Sequence, residues 1–522
     1  MNKIKPAFIL RSDDFPGLAA RAGSRSSRRA TEVATTPRFR NILFFVIASL
    51  ILSACLPQQE PSADLAPATE TPTPFAGPSP TPIPARPAYN PGELVDYIAQ
   101  MGDTLPTLAA HFNTTIEQIR EANPEIPADA TTMPPGMPMK IPIYYLPLWG
   151  TSFKIIPDNL FVNGPSMVGF DTSAFVAQQP GWLKDFRDYV GGAWRSGAQI
   201  VDYVAMNFSV SPRLLLAILE YQAGALSYPE SPSTPYPLGY NDLLHVGVYL
   251  QLIWAANTLN NGYYGWRTGH LTSFEHTDSS LERPDPWQNA ATVGIQYYFS
   301  RLHPKDEYDH AIGPDGLAYT FQKLFGDPWA AESPHILASL KQPSFLFPFP
   351  DGEAWTYTGG PHTGWGVGEP FAAVDFAPPA SVGGCLPTDK WATAMAGGVV
   401  VRLGDGVVML DLDGDGDERT GWVIFYLHVG TEGRAPLGAR LEAGDPVGHP
   451  SCEGGQATGT HIHIARKYNG EWIPADGPLA LNLEGWIAHN GSEARKGTLT
   501  RSNRIVTACE CSDLASQVQA GK

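Results

Sequence analysis

The sequence predicts a multidomain chain: a small β-α-α-β unit, a mostly α-helical middle region and an antiparallel β-rich C-terminal domain. Three observations carry this. The 522 residues are 43% hydrophobic and 17% charged, enough apolar material for several cores. Between residues 193 and 325 the apolar positions recur at helical spacing. Beyond residue 346 they alternate in short runs, and the 52 Gly and 49 Pro exceed what a helical bundle carries. The net charge of −17 argues against nucleic acid as a partner, because phosphate binding needs clustered cations. One apolar run approaches membrane-spanning length, which excludes a polytopic membrane protein.

Residues 1–55 read as an export leader. Nine Lys/Arg against three acids occupy residues 1–40, followed by the apolar run Ile42 to Leu52 and then Ser53, Ala54 and Cys55. The L-S-A-C ending resembles a bacterial lipobox. That resemblance implies cleavage before Cys55, lipidation of its sulfur, and anchoring in a membrane, at the outer face of the bacterial cytoplasmic membrane. Residues 56–90 contain ten prolines among Thr, Ala and Ser, a composition that forms an extended spacer and no core.

Residues 91–145 supply the small unit. Leu105, Leu108, Ala109 and Phe112 have helical spacing, as do Ile116 and Ile119 after the N-cap candidate Thr115. Tyr97-Ile98 and Met139 to Ile141 read as two short strands that pair. The landmarks Gly102-Asp103-Thr104-Leu105, Asn123-Pro124 and the closing GMPMKIP resemble a LysM domain. The resemblance implies binding to the N-acetylglucosamine backbone of peptidoglycan or chitin.

Residues 150–345 carry amphipathic runs at 193–206, 212–222, 242–259, 287–302 and 316–325, with Ser211-Pro212 as a helix start. The stretch FSVSPRLLLAILEYQAG resembles the first catalytic helix of lysozyme-like lytic transglycosylases. There the general acid is a Glu, whereas Gln222 stands at that position here and cannot donate a proton. Glu220, two residues earlier, points about 200° away on a helix. The resemblance therefore implies a lysozyme-like domain without glycosidase activity.

Residues 346–490 carry the chemistry, ahead of a tail at 491–522. His461 and His463 alternate in THIHIAR, so a strand would project both from one face. His428 ends the strand-like run Val423 to Leu427, Asp375 lies in FAAVDFA, and His362 in the loop GGPHTGWGVG. Imidazoles with one carboxylate are the ligand set of catalytic zinc, three protein ligands leaving the fourth position for water. With GGVVVRLGDG, VIFYLHVG, LEAGDPVGHP and GGQATGTHIHI in the same order, the region resembles the lysostaphin/LytM-type zinc peptidases of peptidoglycan. The resemblance implies one Zn2+ per catalytic domain, held by His362, Asp375 and His463, with His428 and His461 as catalytic residues beside the water. Either could be the base. Most members have three residues between the first His and the Asp. Here there are twelve, with Phe371 at the usual His position, as in the beta-lytic branch.

The segment Asp411, Asp413, Asp415, Gly416 has the D-x-D-x-D-G spacing that opens a Ca2+ loop, but position twelve is Trp422; the other reading is an acidic hairpin turn. Cys385, Cys452, Cys509 and Cys511 suggest two disulfides in an exported chain. A C-x-C ring is strained, so the sequence favours tying Cys509 and Cys511 back onto the catalytic domain. The functional expectation is a lipid-anchored, wall-bound zinc metalloendopeptidase. Its partners are peptidoglycan glycan at the LysM unit and peptide at the zinc domain. The alternative is a non-catalytic peptidoglycan-binding or regulatory protein.

Overall fold

The computed structural model describes residues 88–144, 148–511 and 513–521. The leader, Cys55 and the Pro-rich stretch as far as residue 87 lie outside the described residues. Among the described residues, no helix is long and apolar enough to cross a membrane.

The N-terminal unit is β1 (Glu93–Ile98), α1 (Leu105–His111), α2 (Ile116–Ala122) and β2 (Pro138–Ile143), with β1 and β2 antiparallel. Thr104 and Thr115 cap the two helices by accepting from Thr107 and Gln118 backbone N–H groups. Leu108, Phe112, Ile119 and Ile141, all at periodic positions, form its core.

The middle region comprises α3 (Thr172–Ala177), the hairpin β3 (Arg187–Val190) and β4 (Ala193–Ser196), then α4 (Gly197–Phe208), α5 (Pro212–Ala223) and α6 (Val248–Thr268). After two short strands, β5 (Phe274–Glu275) and β6 (Leu281–Glu282), come α7 (Ala290–Ser300), α8 (Lys305–Ala311) and α9 (Leu317–Phe325). The expected helix from 193 starts only at Gly197. Gly191 and Gly192, at φ 54° and 78°, make a tight turn that pairs β4 with β3. Ser196 then closes a capping box with Gln199.

The C-terminal domain runs β7 (Ala354–His362), β8 (Ala373–Ala377), β9 (Ala392–Thr393), β10 (Gly398–Leu403), β11 (Val408–Asp411), β12 (Trp422–Leu427), β13 (Arg440–Leu441), β14 (Pro446–Gly448), β15 (Ile462–Tyr468) and β16 (Glu471–Trp472). It ends with β17 (Asn482–Leu483), β18 (Trp486–Asn490), β19 (Gly497–Arg501), β20 (Arg504–Thr507) and β21 (Gln517–Gln519). The main sheet has the order β13-β10-β11-β12-β15-β8-β7-β21, with β16 also on β15. Strands β17 to β20 form a second sheet. Residues 491–511 and 513–521, which the sequence marks only as a tail, are thus part of the fold: β19 completes a hairpin with β18, and β21 adds an edge to β7.

The two faces of the main sheet go to different cores. Val374, Phe376, Ile424, Tyr426, Ile462 and Ile464 pack with Trp355 and Trp486. Ala373, Val423, Phe425, Leu427 and Ala465, on the opposite face, share one core with the helices. The middle region is therefore packed on the sheet and is not a spacer. Arg267 of α6 sits where the three units meet. Its guanidinium pairs with Asp158 at 3.2 Å and with Glu471 of β16 at 3.1 Å, and donates to Met101 O in the N-terminal unit. Burial raises the Glu471 carboxyl, but Arg267 and His335 outweigh this and hold it at about 2. Replacing Arg267 with Ala takes the guanidinium from two buried carboxylates, with only His335 and Tyr263 left on Glu471, so the unfolding free energy is expected to fall by about 3–5 kcal/mol. Denaturant unfolding measures it, and a loss below about 1 kcal/mol would remove Arg267 as the anchor of this junction.

Candidate metal centre

Five side chains converge at one end of the helix-facing side of the main sheet. His362 ends β7, Asp375 is central in β8, and His463 lies in β15 opposite Asp375. His461 immediately precedes β15. His428 follows β12 at φ 65°, a left-handed conformation that turns it out of the strand, while its carbonyl accepts from Ser451 N and Oγ. Strand β7 crosses Asp375 at Gly359, where an added Cβ would lie 2.4 Å from the Asp375 carboxylate; only glycine allows this approach.

The ligand atoms of His362, Asp375 and His463 lie within 4.8 Å of one another, and all three residues are buried. His362 Nε2 is 3.1 Å from His463 Nδ1 and 3.3 Å from Asp375 Oδ1, and His463 Nδ1 is 3.1 Å from the same oxygen. Bonds of about 2.0 Å in a tetrahedron place donor atoms about 3.3 Å apart, so this spacing fits a tetrahedral cation. Protonation points the same way. His362 Nδ1 donates to Gly360 O at 2.8 Å and His463 Nε2 to Gly364 O at 3.2 Å. A carbonyl can only accept, so the other nitrogen of each ring carries a lone pair. Two lone pairs and a carboxylate oxygen then face one another, an arrangement that a divalent cation satisfies.

His428 and His461 flank this cluster, with ring centroids 4.4 Å apart. Their Nδ1 atoms donate to Glu453 O and Gly459 O, each at 2.8 Å. Each ring therefore keeps a basic Nε2, and that of His461 is 3.9 Å from Asp375 Oδ1. Burial, reinforced by His461 and His463, pushes His428 down to about 3; burial likewise lowers His463 to about 4 against the pull of Asp375.

Several supports have no signal in the sequence. Arg495, in the presumed tail, reaches Asp375 Oδ2 at 3.5 Å, and its backbone exchanges hydrogen bonds with Gly360 and Pro361 beside His362. The backbone carbonyls of Gly360, Gly364, Glu453 and Gly459 that orient the imidazoles are equally invisible to side-chain pattern. Helix α6 braces the loop after His362: Asn257 Oδ1 accepts from Val367 N and Asn261 Oδ1 from Glu369 N, both at 2.7 Å.

The remaining sequence candidates fall elsewhere. Asp411, Asp413 and Asp415 cluster in the β11–β12 turn. Their carboxylates already accept from the turn's own N–H groups, Asp411 from Asp413 and Gly416, Asp413 from Asp415. That is the bonding of an acidic hairpin turn. Two disulfides form, but the expected pairing of the tail needs correction. Cys385 joins Cys452, with Cα atoms 5.8 Å apart, and Cys509 joins Cys511. The tail is held to the domain by the β21–β7 ladder, so it needs no disulfide for that task. Glu220 Oε2 accepts from Leu226 and Ser227 N–H groups, which makes it structural, and Gln222 Nε2 is buried.

Comparison with known families matches residues 97–142 to the LysM domain and residues 154–338 to the N-terminal domain of LasA. Protease LasA from Pseudomonas aeruginosa is 25% identical over 349 residues, which cover 62% of this chain and 77% of that protein. The beta-lytic metalloendopeptidase of Achromobacter lyticus is 30% identical over 142 residues, 25% of this chain and 35% of the relative. The corresponding enzyme of Lysobacter enzymogenes is 27% identical over 133 residues, 25% of this chain and 72% of the relative. Among solved structures, the deep-sea M23 metalloprotease pseudoalterin aligns at 22% identity over 32% of this chain and 96% of its own, with a TM-score of 0.28.

Proposed function

We propose that this chain, in which a LysM domain precedes a LytM-type peptidase domain, is a peptidoglycan endopeptidase holding one zinc ion at His362, Asp375 and His463. The observation that carries the proposal is the convergence of two imidazole nitrogens and one carboxylate oxygen at 3.1–3.3 Å, flanked by two further histidines. Zinc bound there supplies an acidified water and a Lewis acid for the scissile carbonyl. The chain's own groups do the rest. The Nε2 of His428 or His461 takes the proton of the attacking water, and the imidazolium so formed faces the developing oxyanion and returns the proton to the leaving amine. The carbonyls of Glu453 and Gly459 keep both rings in the tautomer that can accept. No H-E-x-x-H motif occurs, so no glutamate of that type is available as base.

In this reading the LysM domain holds wall glycan, the peptide enters the metal site, and Cys55 is the lipid anchor at the outer face of the cytoplasmic membrane. The middle domain is non-catalytic, as an inactive lysozyme-like unit would be: Gln222 replaces the acid and Glu220 is tied to backbone. The aspartates of the β11–β12 turn are read as turn formers. Incubating purified wall with the protein is expected to release free amino groups, and EDTA is expected to abolish the release until zinc is restored. Chelator-resistant release, or reducing sugar ends in place of amines, would overturn the assignment.

A further inference from the structure

The segment that orients the two flanking histidines is itself held by a second loop. Residues 449–461 join β14 to β15, and the carbonyls of Glu453 and Gly459 take the Nδ1 protons of His428 and His461, each at 2.8 Å. Within it, residues 451–460 read SCEGGQATGT, with three glycines and no helix or strand; Ser451 and His461 meet in one isolated bridge. Gly454 stands at φ 83°. Glycine loses more backbone freedom on ordering than any other residue, so such a segment does not fix a carbonyl by itself.

The holding element is the β8–β9 loop, residues 378–391. Its Cys385 is bonded to Cys452, one residue before Glu453. At the other end of the Gly-rich segment, Gly384 O accepts from Thr460 N at 3.1 Å, and Leu386 O from Thr460 Oγ1 at 2.5 Å. Thr460 stands between Gly459 and His461. Contacts therefore run from the disulfide through Gly384 and Leu386 to Thr460, then to Gly459 O and the His461 ring. Residues 379–387 are exposed throughout, so no apolar core fixes this loop and the covalent tie at Cys385 is what holds it. The two histidines differ in one respect. The Glu453 carboxylate accepts from Thr431 N at 3.0 Å and from Thr431 Oγ1 at 2.6 Å, which secures the His428 side independently. Gly459 has no side chain with which to make a second tie.

We propose that the Cys385–Cys452 pair is a positioning element of the peptidase: it fixes the β8–β9 loop, which through Thr460 sets the Gly459 carbonyl and with it the tautomer and aim of His461. The inference rests on the peptidase reading and adds to it residues that act through another side chain. His362, Asp375 and His463 are placed by the ladders among β7, β8 and β15, so their hold on a cation does not pass through the disulfide.

The test compares the zinc-loaded full chain with Cys385→Ser/Cys452→Ser, and with Cys509→Ser/Cys511→Ser as the control for losing a disulfide elsewhere. In the first variant kcat for hydrolysis of a soluble stem peptide is expected to fall about tenfold to a hundredfold, at unchanged KM and zinc content. Long-range 1H–15N spectra of the 15N-histidine-labelled chain are expected to show His461 passing from the Nδ1–H form to a mixture of tautomers, while His428 keeps its Nδ1–H. A disulfide that only stabilises the fold moves neither signal. An unchanged kcat or an unchanged His461 tautomer overturns the proposal, and so does loss of zinc or an equal fall in the control. If the double variant does not fold, Thr460→Val removes the Oγ1 bond to Leu386 and is expected to shift the His461 signal in the same sense; an unmoved signal rejects the proposal. If the parent chain hydrolyses no wall peptide the peptidase reading fails, and the tautomer spectra decide separately whether the disulfide positions His461.

Discussion

Asp375→Ala is expected to lose its zinc and with it essentially all hydrolysis, a fall in kcat/KM of roughly three to four orders of magnitude. Asp375 supplies the single negative charge of the ligand set. Its Oδ1 lies 3.1 Å from His463 Nδ1 and 3.3 Å from His362 Nε2, so it would hold a cation together with both rings. Two neutral imidazoles alone would hold a divalent cation weakly in a buried site. Removing the carboxylate also leaves Arg495 without its 3.5 Å partner and opens space against Gly359. His463→Ala should behave alike, because a three-ligand site cannot spare one. Metal analysis of the purified variants, beside amine release from wall, separates loss of metal from loss of chemistry. Near-stoichiometric zinc in Asp375→Ala would sink the ligand assignment.

His461→Ala and His428→Ala should instead keep their zinc while kcat falls by about 10²–10⁴-fold, the usual range for removing a general acid–base group. Both rings hold their basic Nε2 through a 2.8 Å bond from Nδ1 to a backbone carbonyl, and neither belongs to the trio whose ligand atoms lie within 4.8 Å. The low pKa of His428, set first by burial, leaves its ring uncharged in the neutral range. The variant with the larger loss identifies the base. Loss of metal in either variant would show that the residue is a ligand and that the division of roles is wrong.

Four side chains of the candidate metal centre sit in locally readable patterns, whereas His362, expected in a Gly-rich loop, instead ends strand β7. His461 and His463 alternate, so a strand places both toward one site, and β15 does so from Ile462. Asp375 and His428 are marked by apolar runs that became β8 and β12. The LysM helices and their Thr caps were equally local. The helix expected from 193 was misplaced because two glycines at positive φ turned the segment into a hairpin before the Ser196 cap. The tail was misjudged because a short polar strand has no periodicity strong enough to announce that it completes another sheet.

The chain's composition and periodicity by themselves determined which residues could make helices, strands, caps and a cation site, since those depend on chemistry within a few positions. Only the tertiary structure decided that Arg495 supports Asp375, that four backbone carbonyls set the histidine tautomers, and that helices and sheet share one core. These features join positions far apart in the chain, such as Arg495 with Asp375 and Arg267 with Glu471. Their energies arise only after long loops have closed and water has been excluded, so no window of sequence contains them.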